Sequence, residues 1–171
     1  MHCFLLKGGA LMPIDYFSAL AFSFSTTIAF AVLLQAPRKT LPISGIIGAV
    51  GWVVFLYVRK ELGASSFYAN ICATLILALL SELAARIFKK PATVFVIPGI
   101  FPIVPGLGMY NGMAQLIENK YDLGINILLT AGLDAAAIAL GIMFTGSFFR
   151  VLKISAERKR FLQLLGKDKQ Q

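Results

Sequence analysis

The stretch Val96-Ile97-Pro98-Gly99-Ile100-Phe101-Pro102-Ile103-Val104-Pro105-Gly106-Leu107-Gly108-Met109-Tyr110-Asn111-Gly112 makes two demands that conflict. Prolines at 98, 102 and 105 cannot lie in an unbroken helix, because each lacks a backbone donor and its ring clashes with the preceding turn. Yet the stretch is too apolar for a solvated loop. A discontinuous helix at membrane depth meets both demands. Backbone groups freed by the break cannot face lipid there, so they are buried in protein or line a wet cavity. Two readings follow. In one, the break is a kink packed against a neighbour. In the other it is a binding element of the transporter kind, with half-helix N-termini facing anionic groups and unwound carbonyls facing cations. Pro105-Gly106 suits the start of the second half-helix, whose free amides favour a carboxylate. The residues at substrate are then Pro98, Gly99, Pro102, Pro105 and Gly106, with Tyr110 and Asn111 orienting it from just beyond the break. Tyr110 equally suits an interfacial anchor.

The rest of the chain supplies the membrane setting. Of 171 residues, 58% are hydrophobic and only 14% charged, with a mean hydropathy of +0.79. Soluble domains run at about 45–50% apolar and about 25% charged. The expected fold is an all-α polytopic membrane protein with about five transmembrane helices, the fourth broken by Pro and Gly. The spans are Ile14–Leu34, Ile43–Val58, Ser66–Leu83, Thr93–Ile117 and Leu123–Phe149. They divide the chain into an N-terminal extension (1–13), a transmembrane domain (14–149) and a basic cytoplasmic tail (150–171). The N-terminus does not read as a cleaved signal, because the apolar run continues past Ala19-Leu20-Ala21 to Leu34.

The net charge of +8 tests this count. With the N-terminus outside, the first loop (Arg38, Lys39), the third loop (Arg86, Lys89, Lys90) and the tail from Arg150 hold twelve of the sixteen Lys and Arg residues on the inside. That is the bias of a multi-pass protein with its C-terminus in the cytoplasm. Four spans would put the two most basic segments on opposite sides. The charge is therefore topological, with the tail also suited to anionic lipid. No module for nucleic acid is present.

Other chemistries are excluded more simply. Cys3 and Cys72 make neither a disulfide framework nor a metal-ligand spacing. His2 is the one histidine, so no HExxH helix exists. No Walker A loop and no GxSxG elbow appears. Neither an enzyme, a metal nor a cofactor is expected.

Within the spans, Gly45-xxx-Ala49, Gly132-xxx-Ala136 and Ala137-xxx-Gly141 are pairs of small residues that let helix backbones approach closely. They serve packing within the chain or an interface with another chain, a homo-oligomer included. Asp134 lies near the middle of the fifth span. A carboxyl group taken out of water is biased toward its protonated form, which suits proton coupling. The alternative is an Asp that locks two helices together by hydrogen bonding. Glu82 and Arg86, spaced i,i+4, fit an interfacial ion pair or a gate at the cytoplasmic mouth. Asn70, Thr26 and Thr27 either line a polar path or bond to backbone.

Three segments carry a family resemblance. Ala29–Arg38 (AFAVLLQAPR) resembles the first helix and proline exit of the threonine/serine exporter family. Ile43–Ala49 (ISGIIGA) resembles its glycine-bearing second helix, and Val96–Tyr110 resembles its proline-rich signature. The resemblance covers residues 14 to about 150 and is to the family's C-terminal membrane half. In many bacteria that half is a separate small subunit working with a larger one in the inner (plasma) membrane. The resemblance implies proton-driven export of threonine and serine, and for a split pair, of succinate. The proline and glycine positions carry over to this chain, whereas Asp134 rests on its chemistry alone. The expected function is a subunit of a proton-coupled exporter of small carboxylate-bearing solutes. The alternative is a non-catalytic scaffold that stabilises a membrane complex.

Overall fold

The computed structural model describes residues 13–168, with side chains described for residues 16–151. The N-terminal extension, apart from Pro13, and the tail side chains beyond Val151 lie outside the described residues. All regular structure among those described is helical: α1 (Pro13–Leu33), α2 (Leu41–Lys60), α3 (Ser66–Phe88), α4 (Thr93–Ile100), α5 (Gly106–Ile117) and α6 (Tyr121–Asp168), with a single 3-10 turn at Arg38–Thr40. Four of these, α1, α2, α3 and α6, are long and apolar enough to cross a membrane. The fourth span of the sequence reading is the pair α4 and α5, separated by residues 101–105.

Local chemistry sets the boundaries. After α1, Gln35 turns left-handed (φ 56°), and Pro37 two residues later bars any resumption. Pro42 sits in the first turn of α2, where its missing amide has no helical partner to lose. Lys89 closes α3 in the left-handed region (φ 51°), followed by Pro91. Pro98 is tolerated inside α4, but α4 ends after two further residues.

α1 and α2 are antiparallel and interlocked. Ser23 Oγ donates to the Gly48 carbonyl at 3.1 Å, and Thr27 lies directly over Gly48. α3 returns beside α2, with Leu77 packed on Gly51. α4 then wedges between α2 and α3 and brings Phe95 into the core with Ile47, Ala73, Leu77, Ala84, Ala85, Ile103 and Ile138. Phe101, at the break, stacks on Phe30 of α1 at 3.7 Å between ring centroids and 5° between planes.

α6 is shared between two partners. Its carboxyl-terminal part runs beside α3: Ser66 meets Asp134, Thr74 meets Gly141, and Arg86 lies over Phe149. These pairs advance together, so the two helices are parallel. The amino-terminal part of α6 is covered by α5 instead, with Gly112 against Leu128 and Leu116 against Gly124. One stripe serves both partners: Gly124, Ala131, Asp134, Ala137, Ile138, Gly141 and Thr145 are buried, while the residues between them are largely exposed. At about 1.5 Å per residue, the segment Tyr121–Asp134 extends about 20 Å beyond the first turn of α3.

A methyl group at Gly48 would overlap the Thr27 hydroxyl, itself held by a 2.8 Å bond to the Ser23 carbonyl. Gly132 has open space at the same position. Gly48→Ala is expected to destabilise the protein by about 1–3 kcal/mol, as overpacking does. Gly132→Ala is expected to leave stability unchanged or slightly higher. Thermal unfolding of the two variants in detergent checks both.

Candidate functional site

The break falls at the middle depth of the bundle. Ile103 packs where Leu77 and Gly51 meet, and each of those residues is near the midpoint of its own helix. Pro98 and Gly99 are buried there, with Leu77 at van der Waals distance from the Gly99 Cα hydrogen face. The backbone of the break is partly resatisfied by turns: the amides of Ile103 and Val104 both donate to the Ile100 carbonyl, and that of Gly106 to the Val104 carbonyl. Pro98 and Pro102 have no amide to offer, so the carbonyls four residues earlier lose their helical donor.

α5 begins at Gly106 with Pro105 before it, as the sequence pattern predicts. The structure does not gather the seven expected substrate residues into one pocket. Pro98 and Gly99 lie in the core, while Pro102, Pro105 and Asn111 are half-buried. Gly106 is exposed, and Tyr110 is 70% exposed on the outer side of α5. Pro98 and Gly99 thus precede the break, Pro102 and Pro105 lie within it, and Gly106, Tyr110 and Asn111 follow it on α5.

Asp134 is buried, at 8% exposure, where α6 passes from α5 to α3. Ser66 Oγ donates to its carboxylate at 2.8 Å. Ser66 is the first residue of α3, so the carboxylate stands at that helix's amino end, where unpaired amides favour negative charge.

Glu82 and Arg86 share a helix face but form no ion pair. The Arg86 guanidinium lies over the Phe149 ring at 4.7 Å, a cation–π contact that ties the end of α3 to α6. Among the described residues the salt bridge is Lys120–Glu118, in the turn between α5 and α6. The aromatic partner was not foreseeable, because Phe149 is 63 positions away in sequence. Thr26 and Thr27 donate to carbonyls of their own helix at 2.8 Å each.

Sequence reasoning overlooked four serines. Ser66 and Ser23 bond across helices. Ser44 on α2 and Ser81 on α3 are fully buried with no hydrogen-bond partner for their hydroxyls. Ser44 adjoins Gly45, and Ser81 adjoins Glu82. A polar residue on the small-residue face of an apolar span was the available signal. Asn70 Oδ1 is likewise buried and unpartnered.

With this geometry in place, comparison with known proteins is informative. The family model described as "Threonine/Serine exporter, ThrE" matches residues 19–148, which takes in α1 to the membrane part of α6 and the whole break. A threonine/serine exporter of Corynebacterium glutamicum is 30% identical over 118 residues, covering 69% of this chain and 24% of that protein. Pheromone-regulated membrane protein 10 of Saccharomyces cerevisiae is 31% identical over 94 residues, covering 54% of this chain and 24% of that protein. The matched region thus spans about a quarter of either relative. No solved structure matches the chain. A proline break flanked by half-helices, an acid in a helix seam and a family match across 130 residues agree: the chain belongs to the threonine/serine exporter family.

Proposed function

We propose that the chain is a subunit of a proton-coupled secondary exporter of small carboxylate-bearing solutes, threonine and serine or a dicarboxylate such as succinate. The observation that carries this reading is Asp134, buried at the place where α6 changes partner from α5 to α3. Ionised, its carboxylate accepts from Ser66 and is drawn to the amino end of α3. Protonated, it loses that charge and the attraction with it. A proton therefore biases the α3–α6 seam, and an equilibrium between two arrangements moves only by such a difference. The carboxylate of the solute is held at the amino end of α5, whose first amides lie just beyond Pro105. Alternating access then couples the two sites across the break.

The same geometry supports a larger partner subunit. The α5 side of the hairpin exposes Leu107, Met113 and Ile117, and the α6 side exposes Ile125, Leu129 and Leu133. α3, at 23 residues, is about 34 Å long and fills a hydrocarbon core of about 30 Å. An apolar hairpin reaching about 20 Å past it needs cover that the described residues do not supply. An inverted-topology companion half supplies such cover in many transporters. The Arg86–Phe149 contact puts the third loop and the start of the tail at one end of the bundle. That supports a bacterial inner-membrane orientation with both in the cytoplasm and the N-terminus outside.

In cells carrying this chain and its larger partner, Asp134→Asn is expected to lower gradient-driven efflux of labelled substrate at least tenfold at a normal membrane level of protein. Unchanged efflux removes Asp134 from the mechanism. Pro102→Ala is expected to cut efflux severalfold while the protein level, followed by immunoblot, stays within a factor of two. Loss of the protein in step with the activity supports a packing kink instead.

A further inference from the structure

Contacts at three levels fix how α3 faces α6. Ser66 bonds Asp134 at the amino end of α3. Two turns on, Thr74 approaches Gly141 so closely that a methyl group there would overlap its hydroxyl. At the far end Arg86 covers Phe149. Asn70 lies midway between Ser66 and Thr74, four residues from each, and so belongs to the same stripe of α3. It is only 1% exposed, and its Oδ1 has no partner. Side chains on a helix lean toward its amino end, which tilts Asn70 toward the level of Ser66, the residue that bonds Asp134.

A buried amide oxygen without a donor is costly to keep. The neighbouring hydroxyls are already engaged. Thr74 donates to the Asn70 backbone carbonyl at 2.6 Å, and Ser66 donates to Asp134. On α6, the residues between Asp134 and Gly141 are Ala135, Ala136, Ala137, Ile138, Ala139 and Leu140, with no polar side chain among them. One group in the seam can gain a donor. An ionised carboxylate only accepts, whereas a protonated one carries an O–H.

We propose that Asn70 is the positioning residue for the protonated form of Asp134, with Asn70 Oδ1 accepting the carboxyl O–H. This deepens the transport reading and rests on Asp134 as the proton carrier. Uptake of one proton takes the carboxylate from −1 to neutral, weakens its pull on the amino end of α3, and gives it a donor for Asn70 while one oxygen still accepts from Ser66. The protonated state therefore adds a second hydrogen bond, one turn farther along α3. Among the described residues no other titratable group lies in the seam beside Asp134. On α3, Tyr68 and Cys72 are exposed, and Glu82 and Arg86 stand about 24 and 30 Å farther along the axis. On α5, Tyr110 is exposed, and Glu118 caps the end remote from the break. On α6, Asp122 and Arg150 are at least three turns from Asp134.

The test is infrared difference spectroscopy during a pH titration of this chain with its larger partner in proteoliposomes. The protonated-carboxyl band that disappears in Asp134→Asn reports Asp134. In Asn70→Leu the midpoint of that band is expected to fall by about one pH unit, the tenfold weaker hold on the proton that loss of one hydrogen bond produces. Asn70→Thr, which keeps an acceptor oxygen, is expected to recover at least half of the shift. Should Asn70→Leu fail to accumulate, Asn70→Ala carries the same expectation. A midpoint that stays put in Asn70→Leu or Asn70→Ala overturns the proposal, as does an equal fall in Asn70→Thr. Absence of any titrating band assignable to Asp134 removes both this proposal and the proton-carrier reading. A band indifferent to Asn70 removes this one alone.

Discussion

Inside a bilayer a peptide group has no water to turn to, and that constraint organises this protein. A chain with prolines at 98, 102 and 105 must break its helix, so the break must be surrounded. The surrounding is built from small residues and rings. Gly51 lets Leu77 and Ile103 meet, Gly99 faces Leu77, and Phe101 stacks on Phe30. α4 is consequently a wedge held by three helices, and its anchor, Phe95, is completely buried. Close packing there follows from the break, because an unpaired carbonyl is tolerable only where protein or a lined cavity receives it. The unpartnered hydroxyls of Ser44 and Ser81, on the two helices that flank α4, place polar groups in the same part of the core.

The second organising element is the division of α6. A single narrow stripe is asked to serve α5 over its first part and α3 over its second. Where the two meet, the stripe carries an acid and not a small residue. The carboxyl group at this changeover accepts from Ser66 at the amino end of α3, which ties α6 to α3 at that point. The contact of Arg86 with Phe149 joins the other end of the α3–α6 pair.

Much of this was legible in the sequence. Span positions followed from hydropathy and from proline punctuation, and the start of the second half-helix at Gly106 followed from Pro105. Asp134 was conspicuous because few spans carry an acid at all. What the sequence withheld was register. Nothing local indicates that Asp134 meets Ser66, 68 positions away, or that Arg86 prefers Phe149 to its own neighbour Glu82. Of the small-residue pairs on α6, Ala137-xxx-Gly141 packs closely, whereas Gly132 and Ala136 are exposed, and the pattern did not reveal that two different helices share the stripe. The buried serines escaped notice for the opposite reason: Ser is common in apolar spans, and only depth distinguishes a buried hydroxyl from one bonded to its own helix, as at Ser25. The substrate set was read from residues contiguous in the sequence, and burial distinguishes them: Pro98 and Gly99 are buried and Tyr110 is exposed.

The most direct measurement is efflux of labelled threonine, serine and succinate from cells that carry the larger partner, with and without this chain, before and after collapse of the proton gradient. Efflux that requires both this chain and the gradient is the predicted result, and the label exported fastest names the substrate. Efflux that is the same without the chain, or indifferent to the gradient, contradicts a proton-coupled subunit and leaves this bundle as a scaffold for its partner.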